Sequence, residues 1–205
     1  MARLKMIFIN GLILCFFIPL KAQNFKAQLL GGMNVAQVDG DSYSGYNQPG
    51  ILAGVTIYRQ GNKKRDFGFG LIYSQKGSHK KTTEESPDIF KLRYTYLCMP
   101  LFVDINLKNP DFKKITFRAA ISPNLNIASK QSFGYGWNTT SIRKYEISGI
   151  LGVRYKFNEK LGGIIQIENS VLSIGAPVLK SLYYNQNSRG LYNRMASFVV
   201  SYDLR

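Results

Sequence analysis

Apolar and polar residues alternate with a period of two through most of the chain after residue 23. Such a period puts neighbouring side chains on opposite faces of a β-strand, so it favours strands over helices. The clearest run has one uncharged face, made of Tyr145, Ile147, Gly149, Leu151, Val153, Tyr155 and Phe157. Its other face carries both signs of charge. The pattern predicts an all-β chain, with runs at about 25–36, 50–60, 66–76, 92–106, 114–128, 143–157, 161–173 and 191–204.

The segments that join these runs alternate in length. The long, polar ones are 37–49, 78–90, 129–141 and 174–190, and the short ones are 61–65, 107–113 and 158–160. Outer-membrane barrels have short periplasmic turns and longer external loops, and an even number of strands returns both chain ends to the periplasm. Greek-key sandwiches have no reason to alternate in this way. We therefore predict an eight-stranded antiparallel up-and-down transmembrane β-barrel with its long loops outside.

The start of the chain has the features of a secretory leader. Arg3 and Lys5 form a basic beginning, and the apolar run Met6–Leu20 follows. This run is shorter than a transmembrane helix requires. The sequence predicts a signal peptide over residues 1–22 and a single barrel domain over 23–205.

The charge balance is strongly basic, with a formal net charge of +15. Loss of Arg3, Lys5 and Lys21 with the leader would leave +12. Such a charge often indicates nucleic-acid binding, but an exported chain with dispersed cations is better suited to lipid headgroups. We expect outer-membrane lipid and lipopolysaccharide as partners, and no nucleic acid. Cys98 would be the one cysteine left, which excludes an intrachain disulfide.

The presumed inner face combines small residues with charged ones. Gly54, Gly68, Gly70, Ala120 and Gly152 suit the crowded interior of a small barrel. The inner charges predict a luminal polar network of Asp104, Arg118, Lys144, Glu146, Arg154 and Glu168. We expect Asp104 to lie opposite Thr116 and diagonal to Arg118, close enough for an ion pair. Such a network would plug the barrel, so we predict that it is not a pore.

Two prolines fall inside predicted strands. Pro100 and Pro123 lack the N–H group that a closed sheet requires of an interior residue. We expect at least one β-bulge at these positions.

The aromatic residues fall into two groups. Those near strand ends suit the membrane interface, where a ring bridges acyl chains and headgroups; they are Tyr73, Tyr145, Tyr155, Phe157, Tyr192 and Tyr202. The rival interpretation is a ligand-binding stack inside a soluble barrel, and Tyr94 and Tyr96, which have inner parity, fit it better than the other aromatic residues do.

Catalytic chemistry has little support in the sequence. The single histidine, His79, follows Ser78 in a basic segment, and no recognisable spacing fixes a carboxylate to orient it. A small lipid A-modifying enzyme is therefore a lesser alternative, and we predict no enzymatic activity. One histidine and one mature cysteine do not make a metal site, and Asp39-Gly40-Asp41 suits a turn better than a calcium loop. We predict neither metal nor cofactor.

Several short motifs occur in a characteristic order and spacing. They are Gly32-Met33-Asn34, Asp39-Gly40-Asp41, Gly45-Tyr46-Asn47-Gln48-Pro49-Gly50, Tyr73-Ser74-Gln75-Lys76-Gly77 and Tyr96-Leu97-Cys98-Met99-Pro100-Leu101. Together they resemble the PorT-like outer-membrane β-barrel family of Bacteroidetes-type bacteria. In that family the position of Cys98 is often Glu. The resemblance implies an eight-stranded barrel in the outer membrane.

The same resemblance implies two kinds of protein partner. The family takes its name from a component linked to type IX secretion, which implies secretion-system components. The last strand, with Phe198, Tyr202 and Leu204 on one face, resembles a signal for the barrel-assembly machinery.

Two classes of protein fit these observations. The first is an integral outer-membrane barrel with a non-enzymatic binding, envelope-structural or secretion-accessory role. The second is a secreted soluble barrel that binds lipid, which would alternate just as strictly. They differ in the direction of the uncharged face, which points outward in the first and inward in the second.

Overall fold

The computed structural model describes residues 25–41, 45–61, 65–80, 89–107, 109, 112–175 and 190–204. They form ten strands: β1 (Phe25–Asp39), β2 (Gln48–Gln60), β3 (Arg65–His79), β4 (Lys91–Cys98), β5 (Leu101–Asn106), β6 (Ile115–Ser132), β7 (Asn138–Thr139), β8 (Tyr145–Lys156), β9 (Leu161–Ser170) and β10 (Tyr192–Leu204). The signal-peptide prediction lies outside the described residues. Within the described ranges, no helix has the length and apolar character needed to cross a membrane.

The strands close into an antiparallel barrel in chain order. Strand β1 pairs with β2 on one side and with β10 on the other, which joins the two edges of the sheet. Strands β4 and β5 form one barrel strand, since both pair with β3 and β6. The two-residue β7 pairs with the end of β6 and is not part of the wall. The predicted eight-stranded up-and-down barrel is therefore confirmed.

The links between strands collect at two ends of the barrel. The strand ends joined by the links 40–47, 80–90, 133–144 and 171–191 lie at one end, which we call the loop end. The strand ends joined by the links 61–64, 107–114 and 157–160 lie at the other, the turn end, together with Phe25 and Leu204. The prediction that long and short links alternate strictly was wrong for one link. Strand β1 runs on to Asp39, so the first loop-end link is no longer than the link 107–114.

The two faces of the wall differ sharply in polarity. Large apolar side chains point outward, and Met33, Leu151 and Ile165 are 68%, 61% and 67% exposed. Polar side chains such as Gln28 and Ser148 point inward and are fully buried. A transmembrane barrel has this arrangement, whereas a soluble lipid-binding barrel has the reverse. The direction of the uncharged face therefore excludes the soluble alternative.

Both prolines fit the sheet without a change of register. The Pro100 carbonyl accepts a hydrogen bond from the Gly70 N–H at 2.9 Å, and the Pro123 carbonyl accepts one from the Met99 N–H at 2.9 Å. Each proline therefore costs only the one ladder bond that its own nitrogen would have donated. The expected bulge exists, but it lies at Ile127 of β6, where the register against β4 shifts between Thr95 and Tyr96. The expectation that the bulge would sit at a proline was wrong.

Glycine is required at two crowded positions of the wall, Gly54 and Gly68. A Cβ atom on Gly68 would lie 2.4 Å from the ring of Phe102, and one on Gly54 would lie 2.3 Å from the Leu71 carbonyl oxygen. Real Cβ atoms do not approach other atoms so closely, so larger residues would push the wall apart. The sequence prediction of a tightly filled interior holds at both positions.

Candidate functional site

The lumen contains two layers of polar and charged groups, one on each side of an apolar layer. The apolar layer surrounds a void of only about 20 Å³ and includes Leu30, Leu52, Ile72, Phe102, Ile150, Ile164 and Val199. Charged groups lie above it toward the loop end and below it toward the turn end.

Toward the loop end, Lys76 is buried between two glutamates. Its Nζ atom lies 2.5 Å from Oε1 of Glu168 and 3.3 Å from Oε1 of Glu146. The ammonium also lies 4.9 Å from the centre of the Tyr96 ring, a cation–π contact. The side chains of Lys76 and Glu146 are fully buried, so the three charges are shielded from water. We call this the upper ion cluster.

Neutral donors complete the coordination of the two carboxylates. The Ser148 hydroxyl donates to Oε1 of Glu168 at 2.6 Å, and the Ser170 hydroxyl donates to Oε1 of Glu146. The Asn193 amide donates to Oε2 of Glu146 at 3.2 Å. Buried charges are tolerated when their remaining lone pairs are satisfied in this way. The upper ion cluster is therefore a bonded crosslink among strands that are distant in the chain.

Toward the turn end, Arg118 and Asp104 form a bidentate ion pair. Nε of Arg118 lies 2.7 Å from Oδ1 of Asp104, and Nη2 lies 2.8 Å from Oδ2. The guanidinium also stacks over the Phe102 ring at 4.1 Å. The two residues are directly opposite in the register, and Thr116 lies opposite Asn106 instead. The predicted register was wrong by two residues, because nine residues, 107–115, lie between the last paired residues Asn106 and Thr116, rather than the seven of 107–113.

A second ion pair lies at the turn end itself. Nη2 of Arg154 lies 2.7 Å from Oδ2 of Asp203. Oδ1 of Asp203 accepts hydrogen bonds from the Gln28 amide at 2.7 Å and from the Tyr58 hydroxyl at 3.0 Å. These contacts join β1, β2, β8 and β10, and so hold together the seam where the barrel closes.

The comparison with known families decides the class of protein. Residues 21–171 match the family described as an outer membrane protein beta-barrel domain. The chain belongs to this family. It is therefore a protein of the outer membrane, as its outward apolar face also indicates.

Solved structures support the fold of this outer-membrane barrel. Ail, the attachment invasion locus protein of Yersinia pestis, was solved in complex with the heparin analogue sucrose octasulfate. It superposes with a TM-score of 0.54 at 9% identity, over 88% of this chain and 99% of Ail. Neisserial surface protein A gives 0.52 at 13% identity, over 87% of this chain and 96% of its own. No curated protein matches the sequence.

The structure places the six predicted luminal residues unevenly. Asp104, Arg118, Glu146, Arg154 and Glu168 are buried in the lumen. Lys144 is not, because it is exposed and lies one residue before β8 begins. The prediction was wrong for Lys144, since alternation assigns a face only to residues within the strand.

Sequence reasoning missed two members of the network. Lys76 was not among the predicted luminal charges, yet β3 continues to His79 and keeps Lys76 on the inner face. The signal was available, because Lys76 has the same parity as Gly68, Gly70, Ile72 and Ser74. Asp203 has inner parity in the last strand, and that too could have been read from the sequence.

The adjacent residues Ser78 and His79 do not form a catalytic pair. Ser78 is buried in the lumen, and neighbouring residues of a strand point to opposite faces. His79 lies opposite Lys91, beyond the apolar part of the wall. Partial burial and the positive charge of Lys91 lower the pKa of His79 below its usual value, while a hydrogen bond with the Asn47 backbone raises it. Within the described residues, no group of three or more potential metal ligands occurs.

Proposed function

We propose that the protein is a non-conducting, non-enzymatic barrel that holds its loop end at the cell surface. The observation that carries this proposal is the closed ion network, with the apolar layer beneath the upper ion cluster. The orientation follows the usual one for outer-membrane barrels, in which short turns face the periplasm. In this role the barrel holds the loops in place at the cell surface, and the loops bind the partner.

The filled lumen supports a barrel without conductance. Eight strands leave an interior that side chains occupy, whereas porins with water-filled channels have about 16–18 strands. The void in the apolar layer, about 20 Å³, has room for roughly one water molecule. Arg118 borders this void but is already paired with Asp104, so an ion crossing the layer would lose its hydration with little compensation, which costs several kcal/mol or more.

Planar-bilayer recording tests this proposal. Purified protein, shown to be folded by its heat-modifiable migration in gels, should give no stepwise currents. As a positive control, Leu30, Ile72 and Ile164 of the apolar layer can be replaced together by alanine to widen the lumen. Steady and reproducible single-channel conductance of the wild type would overturn the proposal.

Absence of catalysis is part of the same proposal and has its own test. Ser78 and His79 lie on opposite faces of β3, which argues against their acting on a lipid A ester. Mass spectra of lipid A from cells with and without the protein should be identical. A lipid A species that appears with the wild type and disappears in Ser78→Ala would contradict this part.

A secretion-accessory role is a second candidate, and it rests on the PorT-like motifs. The Tyr96–Leu101 motif spans the break between β4 and β5, and Cys98 is buried in the lumen where the family often has Glu. A PorT-like role predicts that deletion of the gene blocks export of type IX cargo. Normal export in the deletion strain would exclude the secretion-accessory role and would leave the proposal of a non-conducting barrel unaffected.

We infer that the barrel-assembly machinery recognises the last strand. Phe198, Tyr202 and Leu204 are outward and partly exposed on β10, as in a strand that such machinery can bind before the barrel closes. Phe198→Ala with Tyr202→Ala should slow insertion in cells but leave refolding in vesicles unchanged. Equal insertion in cells would contradict this assignment.

A further inference from the structure

A basic pair lies on the outer wall near the loop end. Arg93 of β4 and Lys130 of β6 are directly opposite in the register, and both are exposed. Like charges in opposite positions of a sheet destabilise it. Among the described residues, no carboxylate forms an ion pair with either of them. The two cations therefore favour the binding of an anion that does not come from the described part of the chain.

The β-bulge is what brings Lys130 to this face. Before the bulge, even-numbered residues of β6 such as Ser122 and Asn124 point into the lumen. The extra residue, Ile127, reverses the parity, so that Ser129 points inward and Lys130 points outward. Bulges re-aim side chains, and they are frequent next to functional sites. Without the bulge, Lys130 would be a further buried cation in the lumen.

Neighbouring residues leave a groove beside the two cations. It has a volume of about 280 Å³ and is lined by Tyr73, Gln75, Arg93, Thr95, Ala128, Lys130 and Trp137. Gly77 of β3 lies opposite Arg93 and has no side chain, so the outer face beside Arg93 is open on that strand. The Arg93 guanidinium lies 5.1 Å from the centre of the Trp137 ring. This cation–π contact holds the guanidinium while its N–H groups remain available as donors.

The groove lies just above the apolar part of the wall. Tyr73, Leu97 and Leu125 form an outward apolar row across β3, β4 and β6. Arg93 is four residues beyond Leu97, about 13 Å along the strand and about 10 Å in height once strand tilt is included. Long basic side chains reach down toward the headgroups from such a height. Tyr73 and Trp137 are the residue types that sit at this interface.

We propose that Arg93 and Lys130 bind a phosphate group of lipid A in the outer leaflet. A phosphate matches the donor geometry of a guanidinium and brings the charge that this pair lacks. The acyl chains of the same molecule would lie against the apolar row below. The location in the outer leaflet rests on the orientation proposed above, but the binding chemistry does not.

Trp137 is the only tryptophan of the chain, so its fluorescence reports directly on the groove. The full-length protein, folded in a neutral detergent, is titrated with bisphosphorylated lipid A. Enzymatically dephosphorylated lipid A, phosphatidylglycerol and inorganic phosphate are titrated in parallel. We expect saturable binding of the phosphorylated lipid only. Equal binding of dephosphorylated lipid A, of phosphatidylglycerol or of phosphate alone would overturn the proposal.

The chain offers a matched control for the substitution test. Arg93→Gln with Lys130→Gln removes the two cations, and we expect lipid A affinity to fall about tenfold or more. Arg194→Gln removes a cation at the same end but on the opposite wall, where Asp39 already neutralises it at 2.7 Å. This control should bind as the wild type does. Equal loss in both variants would show a diffuse charge effect and overturn the site.

Stability gives a second readout that does not depend on fluorescence. In phosphatidylcholine vesicles, the Arg93→Gln, Lys130→Gln variant should be at least as stable as the wild type, because the repulsion is gone. Lipid A in the vesicles should stabilise the wild type and not the variant, as mass action requires of a specific ligand. Equal stabilisation of both would contradict the site even if the orientation in cells is correct.

Discussion

Lys76 is the residue on which the upper ion cluster depends. Its ammonium faces two buried carboxylates, and its loss leaves both without a cation. We predict that Lys76→Met lowers the free energy of unfolding by about 3–5 kcal/mol, as for other broken buried ion pairs. Urea titration of the barrel in phosphatidylcholine vesicles measures this.

Lys144 is the matched control for Lys76. It is exposed at the same end of the barrel, so Lys144→Met should change the free energy of unfolding by less than about 0.5 kcal/mol. Adding Glu168→Gln to Lys76→Met should recover part of the loss, since one uncompensated charge is removed. If Lys76→Met and Lys144→Met proved equally mild, the upper ion cluster would have no role in stability.

Arg118 and Asp104 allow the strength of one cross-strand pair to be measured by itself. Arg118→Ala should cost about 3–5 kcal/mol because Asp104 then remains buried and unpaired. The double variant with Asp104→Ala should lose less than the sum of the single variants, and this difference is the coupling energy. Additive losses in a double-mutant cycle would show that the two side chains act independently.

At the scale of the strand, β8 tests which face meets lipid. Leu151 is outward, 61% exposed and near the middle of its strand. Leu151→Arg should therefore cost about 2–4 kcal/mol, the penalty for arginine near the membrane midplane. The measurement is the free energy of unfolding in vesicles.

Tyr145 provides the control on the same strand and face. It lies at the loop end of β8, so Tyr145→Arg should cost only about 0–1 kcal/mol at the interface. A Leu151→Arg barrel that inserts and folds as stably as the Tyr145→Arg barrel would show that the outward face of β8 is not in lipid.

At the scale of the whole molecule, the orientation in the membrane follows from the two ends of the barrel. With the loop end outside, trypsin added to intact cells should cleave after Lys80 or Lys180 and should spare Arg65, the first residue of β3 at the turn end. Lys180 lies outside the described residues, and its cleavage is predicted from the sequence. Immunoblotting of an epitope at residue 205 identifies the fragments. Cleavage at Arg65 while a periplasmic marker stays intact would reverse the orientation.

Much of the fold could be predicted because its main determinant is local. The direction of a side chain on a strand depends only on its parity, so Glu146, Ser148 and Leu151 could each be assigned to a face from the sequence alone. The number of barrel strands followed from the same pattern and from the turn residues between runs. Fold class, strand number and the outward apolar face were therefore determined by the sequence itself.

The partner of each luminal charge was decided by the tertiary structure. A pair such as Lys76 and Glu168 joins residues 92 apart in the chain, and its formation depends on the register of every strand between them. Two further residues between the paired ends of β5 and β6 moved the partner of Asp104 from Thr116 to Arg118, and one bulged residue turned Lys130 from the lumen to the outer face. Register and closure are non-local, because each depends on the length of all the links and on the packing of the whole barrel. Local alternation therefore determines which face of the wall a side chain is on, whereas only the closed barrel determines which side chain it contacts.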